Sequence, residues 1–138
     1  MTDRLLRTTA IIFALALLVH GADHVRRGLQ LPSRVAVVGG LQFLLGMIAV
    51  ALVLRGHRLG PVAAIAVGFP SVVLFTYGHL VPVGTDPYVG AAAADDVTAF
   101  SWITAVFEIG ADLAFGLAGA ARWRWPRIPR FMTLVSDG

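Results

Sequence analysis

The chain contains no cysteine, no lysine and no asparagine, and only 14% of its residues are charged. Without cysteine there can be no disulfide, no thiolate nucleophile and no thiolate metal ligand, so any metal must be held by imidazole, carboxylate or carbonyl groups. All eleven basic residues are arginine, a bias that reads as the codon usage of a GC-rich bacterial genome. The pI near 10.6 is therefore a statement about membrane orientation, and no nucleic-acid partner is expected.

Apolar residues fill the space that charge leaves. At 57% hydrophobic and a mean hydropathy of +0.79, the 138 residues are more apolar than soluble domains, which average about 45–50% apolar and about 25% charged. Runs of about 20 apolar residues are long enough to cross a bilayer core of roughly 30 Å. Four such spans fit, at about 5–25, 34–54, 61–80 and 97–121. The expected fold is an all-α, integral membrane four-helix bundle, and residues 1–138 form a single four-span domain in the bilayer.

Local signals set the expected boundaries. Gly28 and Pro32 end the first helix, Ser33 is a candidate N-cap for the second, and Pro61 sits in the first turn of the third, where its missing N–H is not needed. Pro70 should kink the third helix. A loop from Val81 to Ala94 is punctuated by Pro82, Gly84, Asp86, Pro87 and Gly90, and Asp95-Asp96 favour the start of the fourth helix through its dipole. Gly39, Gly40, Gly46, Gly110, Gly116 and Gly119 are expected to permit close helix approach.

Orientation follows from the arginines. Arg4, Arg7, Arg55, Arg58, Arg122, Arg124, Arg127 and Arg130 share one side of a four-span chain, against Arg26, Arg27 and Arg34 with Asp86, Asp95 and Asp96 on the other. The positive-inside rule then places both termini in the cytoplasm, in the inner (plasma) membrane of a bacterium. Trp123 and Trp125 suit an interfacial aromatic belt. Arg4 and Arg7 ahead of an apolar run also resemble a signal peptide. Cleavage after Ala22 would put His20 where a small residue is required, so the run is read as a retained first span.

Ionisable groups among these apolar runs carry the functional reading. His20, Asp23 and His24 are spaced i, i+3, i+4, on one helical face, with Arg27 beyond them. His20 lies roughly 8 Å above the midpoint of its span by a rise of about 1.5 Å per residue. His79 is expected at the same end of the third helix, and Glu108 near the centre of the fourth. A carboxylate at the middle of a span costs about 2.5–3.5 kcal/mol and is functional by default.

Three imidazoles with carboxylates from separate helices match a first-row transition-metal site for Cu, Zn or Fe. The candidate ligands are His20, Asp23, His24, His79 and Glu108, supported by Gln42, Thr76, Ser101 and Asp112. Asp23 either binds directly or fixes a histidine tautomer. The Glu-x-x-His pattern of di-iron bundles is missing, and His57 reads as a solvated loop residue.

Three other functions fit the same residues. A proton or ion relay would use Glu108 as proton carrier, although below Asp112 the fourth helix offers only Phe115, Gly116 and Leu117. A bis-His haem cytochrome would use Gly21, Gly39, Gly40 and Gly78 as space for the macrocycle. An accessory subunit, as a homo-oligomer or within a larger membrane complex, would turn its polar groups to a partner.

Overall fold

The computed structural model describes residues 2–28, 33–80 and 97–124. They form four helices, α1 (Thr2–Arg26), α2 (Ser33–Leu54), α3 (Gly60–Leu80) and α4 (Ala99–Arg124). All four are long and apolar enough to cross a membrane; at about 1.5 Å per residue they measure roughly 32–39 Å. The Val81–Ala94 loop, Asp95-Asp96, Pro32 and the tail from Trp125 onward lie outside the described residues.

Helix ends are set where local chemistry satisfies the last backbone groups. α1 and α2 both stop at a glycine in the left-handed region, Gly28 (φ 81°) and Gly56 (φ 67°). After α2 the His57 N–H donates to the Leu52 carbonyl and the Gly56 N–H to Val53, the paired bonds of a Schellman cap. Thr98, the residue before α4, has its backbone N–H donating to Ser101 Oγ three residues on, a capping-box arrangement with serine in the usual glutamate place. α3 continues as one helix across Pro70, which is exposed.

The helices run up and down around a square, α1 packing on α2 and α4, and α3 on α2 and α4. Antiparallel rows tie α1 to α4: Arg26 reaches Thr98 and Ser101, His20 faces Glu108, Phe13 stacks on Phe115 with centroids 4.7 Å apart, and Asp3 pairs with Arg122. α3 and α4 approach most closely. A Cβ on Gly68 would lie 2.7 Å from the Asp112 carbonyl oxygen and 2.7 Å from the Gly116 nitrogen, and one on Gly119 2.7 Å from the Pro61 carbonyl oxygen.

Of the glycines expected at close contacts, Gly46, Gly116 and Gly119 have neighbours that a Cβ would crowd. Gly39, Gly40 and Gly110 have nothing within 4 Å among the described residues, because they face outward. Gly68 is the close-contact glycine that the sequence pattern did not single out.

The bundle is divided along its axis. Toward the end that holds Thr2 and Leu54, the interior is apolar, with Leu6, Ala10, Phe13, Leu17, Val50, Val53 and Phe115 packed together. Toward the other end the buried groups are polar or ionisable, among them His20, Asp23, His79, Ser101, Glu108 and Asp112. The outer surface is the reverse of a soluble protein, lined with leucine, isoleucine and valine such as Leu15, Val37, Leu44, Val73, Ile103 and Leu117.

Candidate metal centre

The C-terminal turns of α1 and α3 bring three histidines together. His20 and His24 are one turn apart on α1, so their side chains lie one above the other on the same face. Their Nε2 atoms are 3.0 Å apart. His79 comes from α3, with its ring centroid 4.8 Å from that of His20 and 6.2 Å from that of His24. One ring nitrogen from each of the three lies within 4.8 Å of the others.

Hydrogen bonds fix the tautomers of the neutral rings. Arg27 has only donors, so its Nη2–H, 3.1 Å from His24 Nδ1, makes that nitrogen an acceptor and leaves the His24 proton on Nε2. His24 Nε2–H then donates to His20 Nε2, and the His20 proton sits on Nδ1. That nitrogen is 3.7 Å from Glu108 Oε2. On α3 the His79 Nδ1–H donates to the Phe75 carbonyl at 3.0 Å, the i−4 carbonyl of its own helix, which puts the lone pair on Nε2.

Phe75 completes the walls. It stacks on the His79 ring at 5.5 Å and meets His20 edge-on at 5.5 Å. Nothing in the sequence pattern distinguished it from the other aromatic residues of α3.

Glu108 and Asp112 are fully buried on consecutive turns of α4. Neither carboxyl has a hydrogen-bond partner among the described residues, and His20 Nδ1 shares that condition. Glu108 therefore faces the rear nitrogen of His20, the one opposite the nitrogen shared with His24. This is the position from which a carboxylate orients a ligating imidazole. The contact is longer than a hydrogen bond.

Asp23, sequence-expected as a ligand or tautomer-fixing group, takes other partners. Its Oδ1 accepts from Arg26 Nε at 3.0 Å and Nη2 at 2.8 Å, and its Oδ2 from Arg27 Nε at 3.0 Å. The i+3 and i+4 arginines are as close on the helix face as the histidines are, and a carboxylate prefers the guanidinium fork. Asp23 acts on the cluster at one remove, by holding the Arg27 that caps His24.

The supporting residues divide in the same way. Ser101 is buried and accepts from Arg26 Nη2 at 3.3 Å, which ties α4 to the arginine pair. Gln42 donates to Ser71 Oγ, and that hydroxyl donates to the Val67 carbonyl at 2.6 Å, a polar link between α2 and α3. Thr76 is half-buried. The buried Ser71 and Thr104 went unnoticed in the sequence because short hydroxyl residues interrupt an apolar run too weakly to register. His57 lies exposed in the α2–α3 turn, at the far end of the bundle, and accepts from the Leu59 N–H.

This arrangement can hold a metal ion. Bonds of about 2.0–2.1 Å in a tetrahedral shell separate ligating nitrogens by about 3.3 Å. The His20–His24 pair is already near that spacing, and the third donor has to close from within 4.8 Å. No family model, curated protein or solved structure matches this chain.

Proposed function

We propose that this chain is a single-domain, multi-pass membrane protein that binds a first-row transition metal through His20, His24 and His79. The observation that carries the proposal is the convergence of three imidazole nitrogens from two helices beside a buried glutamate. Nitrogen donors favour Cu, Zn or Fe over Mg or Ca. Glu108 positions His20 from its rear nitrogen, and Asp23 holds Arg27. His24 is the half-buried member of the cluster and His20 and His79 are buried, so exchange of the ion with its surroundings would run past His24. That geometry suits redox chemistry or metal handling.

Insertion in a bilayer is supported by the inside-out distribution of polarity and by four helices of spanning length. Arg4, Arg7, Arg55, Arg58, Arg122 and Arg124 gather at one end, which supports cytoplasmic termini in a bacterial inner membrane. Arg26 and Arg27, at the other end, share the single carboxylate of Asp23, which offsets one of their two charges. The metal cluster then faces the outside.

An ion suits the cluster better than haem. Imidazoles that ligate from opposite faces of a macrocycle cannot have their rings in contact, whereas His20 meets both His24 and His79 edge-on. Two of the glycines reserved for a macrocycle, Gly39 and Gly40, are exposed on the outer face of α2.

One observation favours a second reading, a proton relay. His24 and His20 are joined Nε2 to Nε2 at 3.0 Å and His20 Nδ1 stands 3.7 Å from Glu108 Oε2. A proton taken up from water at His24 Nδ1, once Arg27 moves aside, would pass through the two rings toward Glu108. Beyond Asp112 the stacked rings of Phe13 and Phe115 fill the axis, so such a relay would load a buried carboxylate without crossing the bundle.

The test is metal content. Untagged protein purified in mild detergent without chelator, compared with His20→Ala, His24→Ala and His79→Ala, should lose bound metal in each variant while helicity is kept. His57→Ala should retain it. Full stoichiometric metal in the three cluster variants would overturn the assignment.

A further inference from the structure

A cavity of about 950 Å³ opens at the opposite end of the bundle, between the first turns of α1 and α3 and the last turn of α4. Four arginines line it, Arg4, Arg7, Arg58 and Arg122, together with His57. Its single carboxylate among the described residues is Asp3, which pairs with Arg122. Arg4, Arg7 and Arg58 are exposed and have no carboxylate partner among the described residues. The Arg7 guanidinium lies over the turn after α2, where a Cβ on Gly56 would be 3.6 Å from Nη2. The deeper walls are apolar, formed by Leu6, Val53 and Pro61.

Three guanidinium groups without a carboxylate partner among the described residues, over an apolar floor, make a site for a phosphate-bearing anion with a hydrocarbon part. Arginine matches phosphate oxygens with its planar fork. Basic pockets between spanning helices on the cytoplasmic side take anionic headgroups. The volume lies within the range of about 300–1,000 Å³ of small-molecule sites, far more than a bare phosphate fills. The end of the bundle is the one that the arginine distribution assigns to the cytoplasmic leaflet.

We propose that this cavity binds the phosphate of an anionic phospholipid headgroup, with Arg7 and Arg58 as its principal contacts. The lipid source rests on the membrane reading, whereas phosphate recognition does not. Neither depends on the metal cluster at the other end.

Native mass spectrometry of the full chain in neutral detergent, with equal phosphatidylglycerol and phosphatidylcholine, tests the lipid source. Calorimetric titration with inorganic phosphate tests the free anion. Wild-type protein should retain phosphatidylglycerol preferentially, and the double variant Arg7→Gln/Arg58→Gln should weaken that binding by roughly 25-fold, about fivefold for each cation removed. Arg124→Gln, a charge loss at the same end but outside the cavity, should leave it within twofold. Phosphate binding without lipid preference, abolished by the same double variant, would keep the anion site and assign it to a soluble phosphate compound. Equal retention of both lipids with no phosphate binding, or an equal loss in Arg124→Gln, would overturn the proposal.

Discussion

His24 has two claims on its ring. Its Nδ1 accepts from Arg27 at 3.1 Å, so the nitrogen that faces His20 carries the proton, and a metal must displace that proton or send it to the nitrogen that Arg27 occupies. Displacing that proton releases one per metal bound, whereas moving it to Nδ1 releases none, and proton release on metal uptake distinguishes the two. By either route affinity should fall as pH falls, because only an unprotonated nitrogen ligates. Arg27→Met should tighten metal binding, on the order of tenfold, by removing both the donor and a nearby positive charge; competition with a chelator measures it. Unchanged affinity would mean that the Arg27 contact does not control the tautomer. Glu108→Gln should weaken metal binding by about 10–100-fold, as loss of a residue that orients a ligand does, and Asp95→Asn should have less effect. Equal effects would show that the buried position of Glu108 is irrelevant to the site.

The helices illustrate which features were legible in sequence and why. Apolar runs bounded by Gly28, Pro32, Gly56 and Pro61 placed all four helices within a few residues, because bilayer-length hydrophobicity is a strong and local signal. The side-chain partners were less accessible. Asp23 lies on the same arc as two histidines and two arginines, and spacing alone does not say which pair it joins. Gln42, expected to support the metal ligands, bonds Ser71 on α3, since a residue's place along a helix does not specify its rotation. The glycines make the same point. Gly68 lies at the backbone of α4 while Gly39 faces outward, and nothing in the chain around either one tells them apart. Gly68→Ala should lower stability by about 1–3 kcal/mol through overpacking, whereas Gly39→Ala should be neutral or slightly stabilising through helix propensity. Thermal unfolding in detergent distinguishes the two, and equal midpoints would contradict the close α3–α4 approach.

At the scale of the molecule, the bundle has one apolar half sealed by Phe13 and Phe115 and one polar half in which Glu108 and Asp112 are buried without hydrogen-bond partners among the described residues. Carboxylates so placed cost free energy that a soluble fold rarely tolerates, and their position beneath three histidines links that cost to a ligand. The absence of native cysteine makes topology directly testable. Ser33→Cys should react with an impermeant maleimide on intact cells, and His57→Cys only after the membrane is permeabilised. The reverse pattern would invert the bundle and place the histidine cluster on the cytoplasmic side.

The most direct test of the central claim is X-ray absorption at the metal edge of untagged, chelator-free protein. A metal site formed by His20, His24 and His79 predicts about one equivalent of Cu, Zn or Fe with imidazole scattering from nitrogens at about 2.0–2.1 Å. A protein that stays metal-free after loading, or a metal with a porphyrin shell, would contradict it.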